Sequence, residues 1–275
     1  MKLSVLVENV TQCPGLTTEA GLSIHIQTDT GTRMLMDFGR HGALVPNAEV
    51  MGVSLREVDY GFLSHGHNDH SGGIAAFRKI NPAAPIYMQK TAFASLWARR
   101  ETGAEEFIGV DPALQEDAGL VFCTGVTQLP DGAVIFDGIT GRELFSTANG
   151  MLCRRTEKGF VSDEFIHEQG LLLPRGSGWV LLSGCAHNGV LNMMARCHEI
   201  MGQYPVAVVG GFHLAEPGTA IGYDPERVEQ LARRLRDYPT RYFTGHCTGL
   251  PAYEILKTIL GEQVDYASCG RVIEL

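Results

Sequence analysis

Residues 64–70 read Ser64-His65-Gly66-His67-Asn68-Asp69-His70, directly after the apolar run Tyr60-Gly61-Phe62-Leu63. Three imidazoles and a carboxylate therefore fall within six consecutive positions, 65–70. Imidazole is the commonest side-chain ligand of zinc and suits other late first-row ions, and a carboxylate adds a hard oxygen donor. Alternate residues of a strand share a face, so a strand ending here delivers His65 and His67 to the same side. Asp69 and His70 lie past that end and can turn toward a second ion. The competing reading is a polar turn with clustered histidines. With 10 histidines in 275 residues, this order arises by chance on the order of once in a thousand chains. The fold must therefore open a strand terminus onto a pocket that supplies further donors.

Strand patterns precede the motif at 3–7, 22–27, 33–36 and 58–63, with Thr30-Gly31 marking a hairpin. Helix 74–80, strand 86–88 and helix 91–100, capped by Thr91, follow. The stretch 103–163 mixes Gly and Pro with short strand patterns such as 120–123 and 133–136. It reads as a loop-rich insertion within a single domain spanning 1–275, a candidate lid. Order returns with strands 171–173 and 179–182, helix 190–201, strand 206–209, helix 224–237, strand 242–243, helix 252–260 and strands 264–266 and 272–274. Strands followed by helices occur once in each half, a pattern compatible with two packed sheets flanked by helices.

Composition narrows the function. Apolar residues make up 44% of the chain and its mean hydropathy is near zero, as in a water-soluble globular protein. No apolar run reaches the roughly 20 residues of a membrane span, and the start reads as a strand rather than a signal peptide. Seven scattered cysteines, an odd number, point to a reducing, cytoplasmic setting rather than a disulfide framework. A net charge of −9 supplies no basic stripe for a phosphate backbone, so nucleic acid and membrane are not expected partners and a small molecule is. Oligomeric state is not legible.

Together with four further blocks, the motif resembles the metallo-β-lactamase superfamily. Met34-Leu-Met-Asp37-Phe-Gly39 is similar to that family's strand-ending Asp-x-Gly turn. Leu181-Leu-Ser-Gly-Cys185-Ala-His187-Asn-Gly189, Gly210-Gly-Phe-His213-Leu214 and Thr244-Gly-His246-Cys-Thr-Gly249 resemble one branch, the stand-alone hydrolase-like proteins related to dihydropterin ribofuranosyl-aminobenzene phosphate synthases. Residues 3–21 resemble that branch's N-terminus. One departure is Glu19-Ala20-Gly21, where the branch carries Glu-His-Gly. The resemblance implies an α/β fold of the αββα sandwich type and two divalent ions, zinc first, with iron or manganese as alternatives.

It also implies a ligand set. His65 and His67 go to one metal, and Asp69, His70 and His246 to the other. The third ligand of the first metal comes in the family from a histidine upstream of strand 179–182. His167 is the nearest histidine there, but His187 is the preferred substitute, because a helix N-terminus beside it keeps an imidazole neutral. The family's bridging carboxylate is replaced by Cys185, either a thiolate ligand or a buried small side chain. His213, after a strand-then-glycine ending, is a metal or substrate contact. Asp37 is expected to accept a hydrogen bond from a ligand imidazole and fix its orientation. Asn188 and Thr248 are further substrate-holding candidates; His25, His41 and His198 carry no functional context.

The implied activity is hydrolysis of a small ester, thioester, lactone, amide or phosphoester, with Asp69 binding metal and orienting a hydroxide formed by acidified water. The alternatives are a pterin-related phosphate transfer or condensation, a flavodiiron-like redox centre and a non-catalytic metal-binding protein. The redox relatives carry a carboxylate where this chain has His67.

Overall fold

The computed structural model describes residues 1–100, 102–215 and 223–275. The chain divides into two compact units. The first comprises residues 1–124, 150–167 and 268–275, and the second residues 125–149 and 168–267.

The first unit is built on a seven-stranded sheet, ordered Val272–Glu274, Lys2–Val7, Ser23–Gln27, Arg33–Met36, Tyr60–Phe62, Ile86–Gln89 and Leu120–Cys123. Its first four strands run antiparallel, joined in the middle by the 28–32 hairpin loop. From Arg33–Met36 onward all pairings are parallel. That switch aligns the carboxyl ends of Arg33–Met36 and Tyr60–Phe62, with Met36 opposite Phe62. Helices Leu44–Val50 and Ile74–Ile80 contribute Leu44, Ala48, Ile74 and Phe77 to a core shared with Leu35, Phe38 and Ile86. A smaller antiparallel sheet, Gly159–Ser162, Leu152–Thr156, Leu96–Arg99 and Glu105–Phe107, completes the unit.

The second unit repeats the plan. Its sheet is ordered Val264–Tyr266, Arg241–Thr244, Ala207–Val209, Gly178–Leu182, Gly170–Arg175, Val134–Phe136 and Val126–Gln128. The first four are parallel, with Leu182, Val209 and Phe243 in register. Helix Val190–Met201 buries Val190, Leu191, Met193, Met194 and Cys197, a helical stripe, and stops at left-handed Gly202. Helix Pro225–Arg236 begins on Asp224, whose side chain accepts from the Arg227 N–H, with Pro225 in the first turn and three arginines in the last. Helix Leu250–Leu260 packs Ala252, Leu256 and Leu260 into the same core as Leu181, Val208 and Tyr242.

The expected helix at 91–100 is corrected. A short 3-10 turn, Lys90–Phe93, is followed by strand Leu96–Arg99. Leu96 and Ala98 are buried while Arg99 is exposed, a period of two that a helix cannot satisfy. Trp97 sets its ring against Phe107 and Phe160 at 5.6 and 5.8 Å. Helix Leu44–Val50, not expected, carries Pro46 in its first turn, where no backbone N–H is needed. The 103–163 stretch is less loop-rich than its composition suggested, for its strands enter all three sheets. Among the described residues no helix is long and apolar enough to cross a membrane, and none of the seven cysteines is in a disulfide.

His25 sits mid-strand, only 8% exposed. Burial, aided by the charges of Arg33 and Lys2, lowers its imidazole to about 4. The unfolded chain takes up a proton near the ordinary histidine value while the folded chain does not. Stability from this group is therefore complete above about pH 6.5 and is lost as pH falls toward about 4. A His25→Gln variant is expected to remove about 2–3 kcal/mol of the stability loss between pH 7 and 4.5, read from urea midpoints of both chains.

Candidate metal centre

Each unit places its conspicuous side chains at the carboxyl ends of adjacent parallel strands, where open α/β sheets ordinarily bind ligands. In the first unit the chain leaves Tyr60–Phe62 into Ser64 and the histidine string, beside the end of Arg33–Met36 and its Asp37. His65 and His70 are fully buried and His67 is 5% exposed. Donor atoms of His65, His67 and Asp69 all lie within 4.8 Å of one another. His65 Nε2 is 3.1 Å from His67 Nδ1, and the His65 and His70 ring centres are 4.2 Å apart.

Asp37 organises this loop as expected. Its Oδ1 accepts from the Ser64 N–H at 2.8 Å, and its Oδ2 accepts from Ser64 Oγ at 2.8 Å and lies 2.7 Å from His70 Nδ1. A proton on Nδ1 leaves His70 Nε2 with its lone pair, the form that binds metal. Asp69 Oδ2 lies 3.8 Å from that Nε2. Ser64 Oγ also contacts His65 Nδ1 at 2.9 Å.

Gly66 is required by packing: a Cβ there would stand 2.5 Å from the Ala92 carbonyl oxygen. Its N–H donates to His167 Nδ1 at 3.1 Å, and His167 Nε2 is 3.0 Å from Asp163 Oδ2. Both ring nitrogens of His167 are thus committed to protein partners. It braces the loop between His65 and His67. Burial alone would raise the Asp163 carboxyl, but the hydrogen bond and charge of His167 hold it below the usual range. Burial, with His167 and His70 alongside, lowers His67 to about 3 against the pull of Asp69 and Asp163. The imidazole is therefore neutral at physiological pH, as a metal ligand must be.

In the second unit the ends of Gly178–Leu182, Ala207–Val209 and Arg241–Thr244 carry Cys185 and His187, His213, and His246 and Cys247. All five are at least 94% buried, since none exceeds 6% exposure. His187 lies three residues before the first residue of helix Val190–Met201, near the helix N-terminus as expected of it. Its Nδ1 is 3.0 Å from Asn149 Oδ1, and Asn149 Nδ2 donates to the His187 carbonyl at 2.8 Å. Glu168 receives the N–H groups of His187 and Asn188 at 2.6 and 2.8 Å. The His187 and His213 rings are 4.1 Å apart. Donor atoms of Cys185, His213 and Cys247 lie within 4.8 Å of one another. Burial alone would raise the Cys247 thiol, but Cys185, His213 and His246 around it hold it well below the ordinary value.

Gly210 makes this convergence possible, with φ of +139° and a notional Cβ 1.6 Å from the Ser183 carbonyl oxygen. Asp37, Ala186, His213 and His246 also adopt positive φ, four of the six non-glycine residues described that do so. Such strain costs on the order of 1–3 kcal/mol per residue and concentrates where function demands it.

The two substrate-holding candidates each have partners within the protein. Thr248 Oγ1 accepts from the Phe212 N–H at 3.0 Å and pairs with Thr244 Oγ1 at 2.6 Å. Asn188 Nδ2 donates to Glu168 at 2.8 Å. Both help to hold the loops together. His41 is exposed and His198 stacks on Tyr204. Sequence reasoning passed over Asp163, Asn149, Glu168 and Cys247. The Asp163-x-x-x-His167 spacing was the one available signal among them.

The donor set fits a divalent metal, combining buried imidazoles, a carboxylate and rings oriented by hydrogen-bond partners. Such donor-rich strand ends on mixed α/β sheets are those of a metal-binding scaffold. The chain belongs to the metallo-beta-lactamase superfamily, whose family profile matches residues 16–188 and so includes the His65–His70 string. It is similar to the 7,8-dihydropterin-6-methyl-4-(beta-D-ribofuranosyl)-aminobenzene-5'-phosphate synthase of Methanocaldococcus jannaschii, 27% identical over 271 residues, covering 92% of this chain and 89% of that protein. An uncharacterized protein of the same organism is 25% identical over 280 residues, covering 98% and 99%. Among solved structures, Tm1679, described as a metal-dependent hydrolase of the beta-lactamase superfamily, aligns with a TM-score of 0.81 at 22% identity, covering 100% of this chain and 99% of that one. Zn(2+)-bound PqqB from Methylobacterium extorquens aligns with a TM-score of 0.63 at 13% identity over the whole of both chains. These structures share the metallo-beta-lactamase fold.

Proposed function

We propose that this chain is a cytoplasmic hydrolase of small molecules that uses two divalent ions, zinc first. Its ligands in this reading are His65, His67, Asp69 and His70 in the first unit and His187 and His246 in the second. The observation that carries the reading is the buried His65–His67–Asp69 cluster, with His70 Nδ1 held 2.7 Å from Asp37 Oδ2 so that its Nε2 can face a metal. Divalent ions held there supply Lewis acidity and lower the pKa of water toward about 7. The chain's own groups do the rest. Asp37 orients His70, and Asp163 and His167 hold Gly66 and thereby the spacing of His65 and His67. Asp69, the least buried of the donors in its loop, is placed to accept a hydrogen bond from the attacking water.

The relative named as a pterin-related phosphate synthase favours a second reading, in which the same donors hold a phosphorylated pterin precursor and the reaction is a condensation. Ala20, in place of the histidine expected there, weighs against carrying that substrate over unchanged. The zinc-loaded chain, assayed against esters, thioesters, lactones and phosphodiesters, is expected to hydrolyse at least one class. That activity should vanish with chelator and return with zinc. A fully loaded chain inert to every class, yet active in joining a dihydropterin that bears a leaving group on its 6-methyl to a 4-(beta-D-ribofuranosyl)-aminobenzene 5'-phosphate, with that group released, would establish the second reading instead.

A further inference from the structure

We propose that a polar cavity on the first unit's large sheet binds a phosphoryl group, either free inorganic phosphate or the phosphate of a small ester, through Lys2, Arg33 and His25. None of the three is among the metal ligands proposed above, and the inference does not rest on the hydrolase reading.

The sheet builds this site at the end away from the histidine string. Lys2 lies opposite Gln27, Gln27 opposite Arg33, and Ser4 opposite His25. Opposed residues share a face, as do residues two apart on one strand, so these five side chains stand on one side of the sheet. Arg33 starts the strand whose other end leads to Asp37, about 13 Å away at about 3.3 Å per residue. Leu35, on the same face, packs into one core with Leu44 and Ala48 of helix Leu44–Val50. The apolar cover stops there. Beyond it, residues that follow that helix, Met51 to Ser54 and Glu57, form the other wall of a cavity of about 180 Å³. At about 30 Å³ per water, that is room for about six waters. The space suits a phosphoryl group with a few further atoms and falls short of the roughly 300 Å³ at which drug-sized ligand pockets begin.

His25 is the observation that points to a ligand. It lines the cavity, is 8% exposed, and its Nε2 has no hydrogen-bond partner. Burying a polar nitrogen without a partner is costly, and an oxyanion is an acceptor for an imidazole N–H placed there. The local field has the right sign. After burial itself, the charges of Arg33 and Lys2 are what lower the His25 imidazole to about 4, so both cations act on this wall. A cleft lined by one sign of charge concentrates ions of the other. Arg33 NH1 donates to Glu57, the carboxylate that lines the cavity, and the Arg33 backbone N–H donates to Asp59 at 2.8 Å. Nε and the second terminal nitrogen of the guanidinium fork remain to meet phosphate oxygens. Ser54 opens the turn Leu55–Glu57 without a capping hydrogen bond from its side chain, which leaves its hydroxyl for the ligand.

The test is a calorimetric titration of inorganic phosphate into the full chain carrying His65→Ala/His67→Ala, treated with chelator and dialysed into phosphate-free buffer. Phosphate held by metal then contributes nothing, and failure of the hydrolase reading leaves the result untouched. Phosphate is expected to bind at one site per chain. Added to that background, Arg33→Gln and His25→Leu should each weaken binding by about 10-fold or more, the loss of a hydrogen bond to a charged group. Lys2→Gln, at a more exposed position, should weaken it by about 2- to 5-fold. Glu57→Gln should tighten it by about 2- to 5-fold, because it frees the Arg33 fork from a competing carboxylate. Lys79→Gln and Lys158→Gln, exposed lysines outside the cavity, change the net charge as much as Lys2→Gln does and should leave binding unchanged. Glycerol 3-phosphate binding more tightly than inorganic phosphate would support an ester as the ligand, and the reverse order the free ion. Acetate should bind at least about 10-fold more weakly than either. Far-ultraviolet circular dichroism checks that each variant is folded. If His25→Leu misfolds, Arg33→Gln and the gain expected in Glu57→Gln still decide. No phosphate binding, binding indifferent to the Arg33 and His25 changes, or acetate bound as tightly as phosphate would overturn the inference.

Discussion

His67→Ala and Asp69→Ala are each expected to reduce turnover by on the order of 10²–10⁴-fold or more, with the chain still folded. His67 is one of three donors that meet within 4.8 Å in the first unit, and its imidazole is neutral and ready to bind. Asp69 contributes the carboxylate of that cluster and is the donor assigned to orient the attacking water. Neither belongs to the apolar core formed by Leu35, Phe38, Phe77 and Ile86. The stability cost is therefore that of a polar-site substitution, about 1–2 kcal/mol. Turnover on a confirmed substrate, with thermal melts alongside, checks both halves. Near-wild-type turnover in either variant would mean that the binuclear mechanism is wrong.

Asp37→Asn has a smaller effect on activity and a larger one on stability. Asparagine keeps the shape and tolerates the positive φ of +56°. It cannot keep the hydrogen bonds, because the wild-type carboxylate accepts from Ser64 N and Ser64 Oγ and lies 2.7 Å from His70 Nδ1. An amide offers one oxygen, so its NH2 must face a donor, either the Ser64 N–H or the His70 ring. Leaving a fully buried donor unsatisfied costs about 1–3 kcal/mol, more where a charge is lost. Releasing the His70 ring lowers metal affinity by about 10- to 100-fold. Competition with a chelator and a denaturant titration read the two effects. Unchanged affinity would show that Asp37 does not orient a metal-bound His70.

Much of this was visible in the chain itself. The 64–70 string, Asp37, and the Gly-Cys-Ala-His and Gly-His-Cys turns all stand at strand ends, because a run of β-branched and apolar residues stopping at glycine is a local signal. Helices 190–201 and 74–80 were legible from apolar spacing, and the start of Pro225–Arg236 from Asp224-Pro225. What failed was set by non-local pairing. Residues 96–99 form a strand only because Leu152–Thr156 and Glu105–Phe107 flank them. The brace from Asp163 through His167 to Gly66 spans about a hundred residues of sequence, and no spacing rule reaches that far. The hydroxyl pair of Thr244 and Thr248 likewise forms only once the 3-10 turn His246–Thr248 folds back.

The most direct measurement is the metal content of the full chain purified mildly without chelator. The account predicts about two or more equivalents of divalent ion per chain, chiefly zinc, with loss of nitrogen- and oxygen-bound metal in the His65→Ala/His67→Ala variant. A wild-type chain that carries no metal, and takes none up on dialysis against zinc, would contradict it.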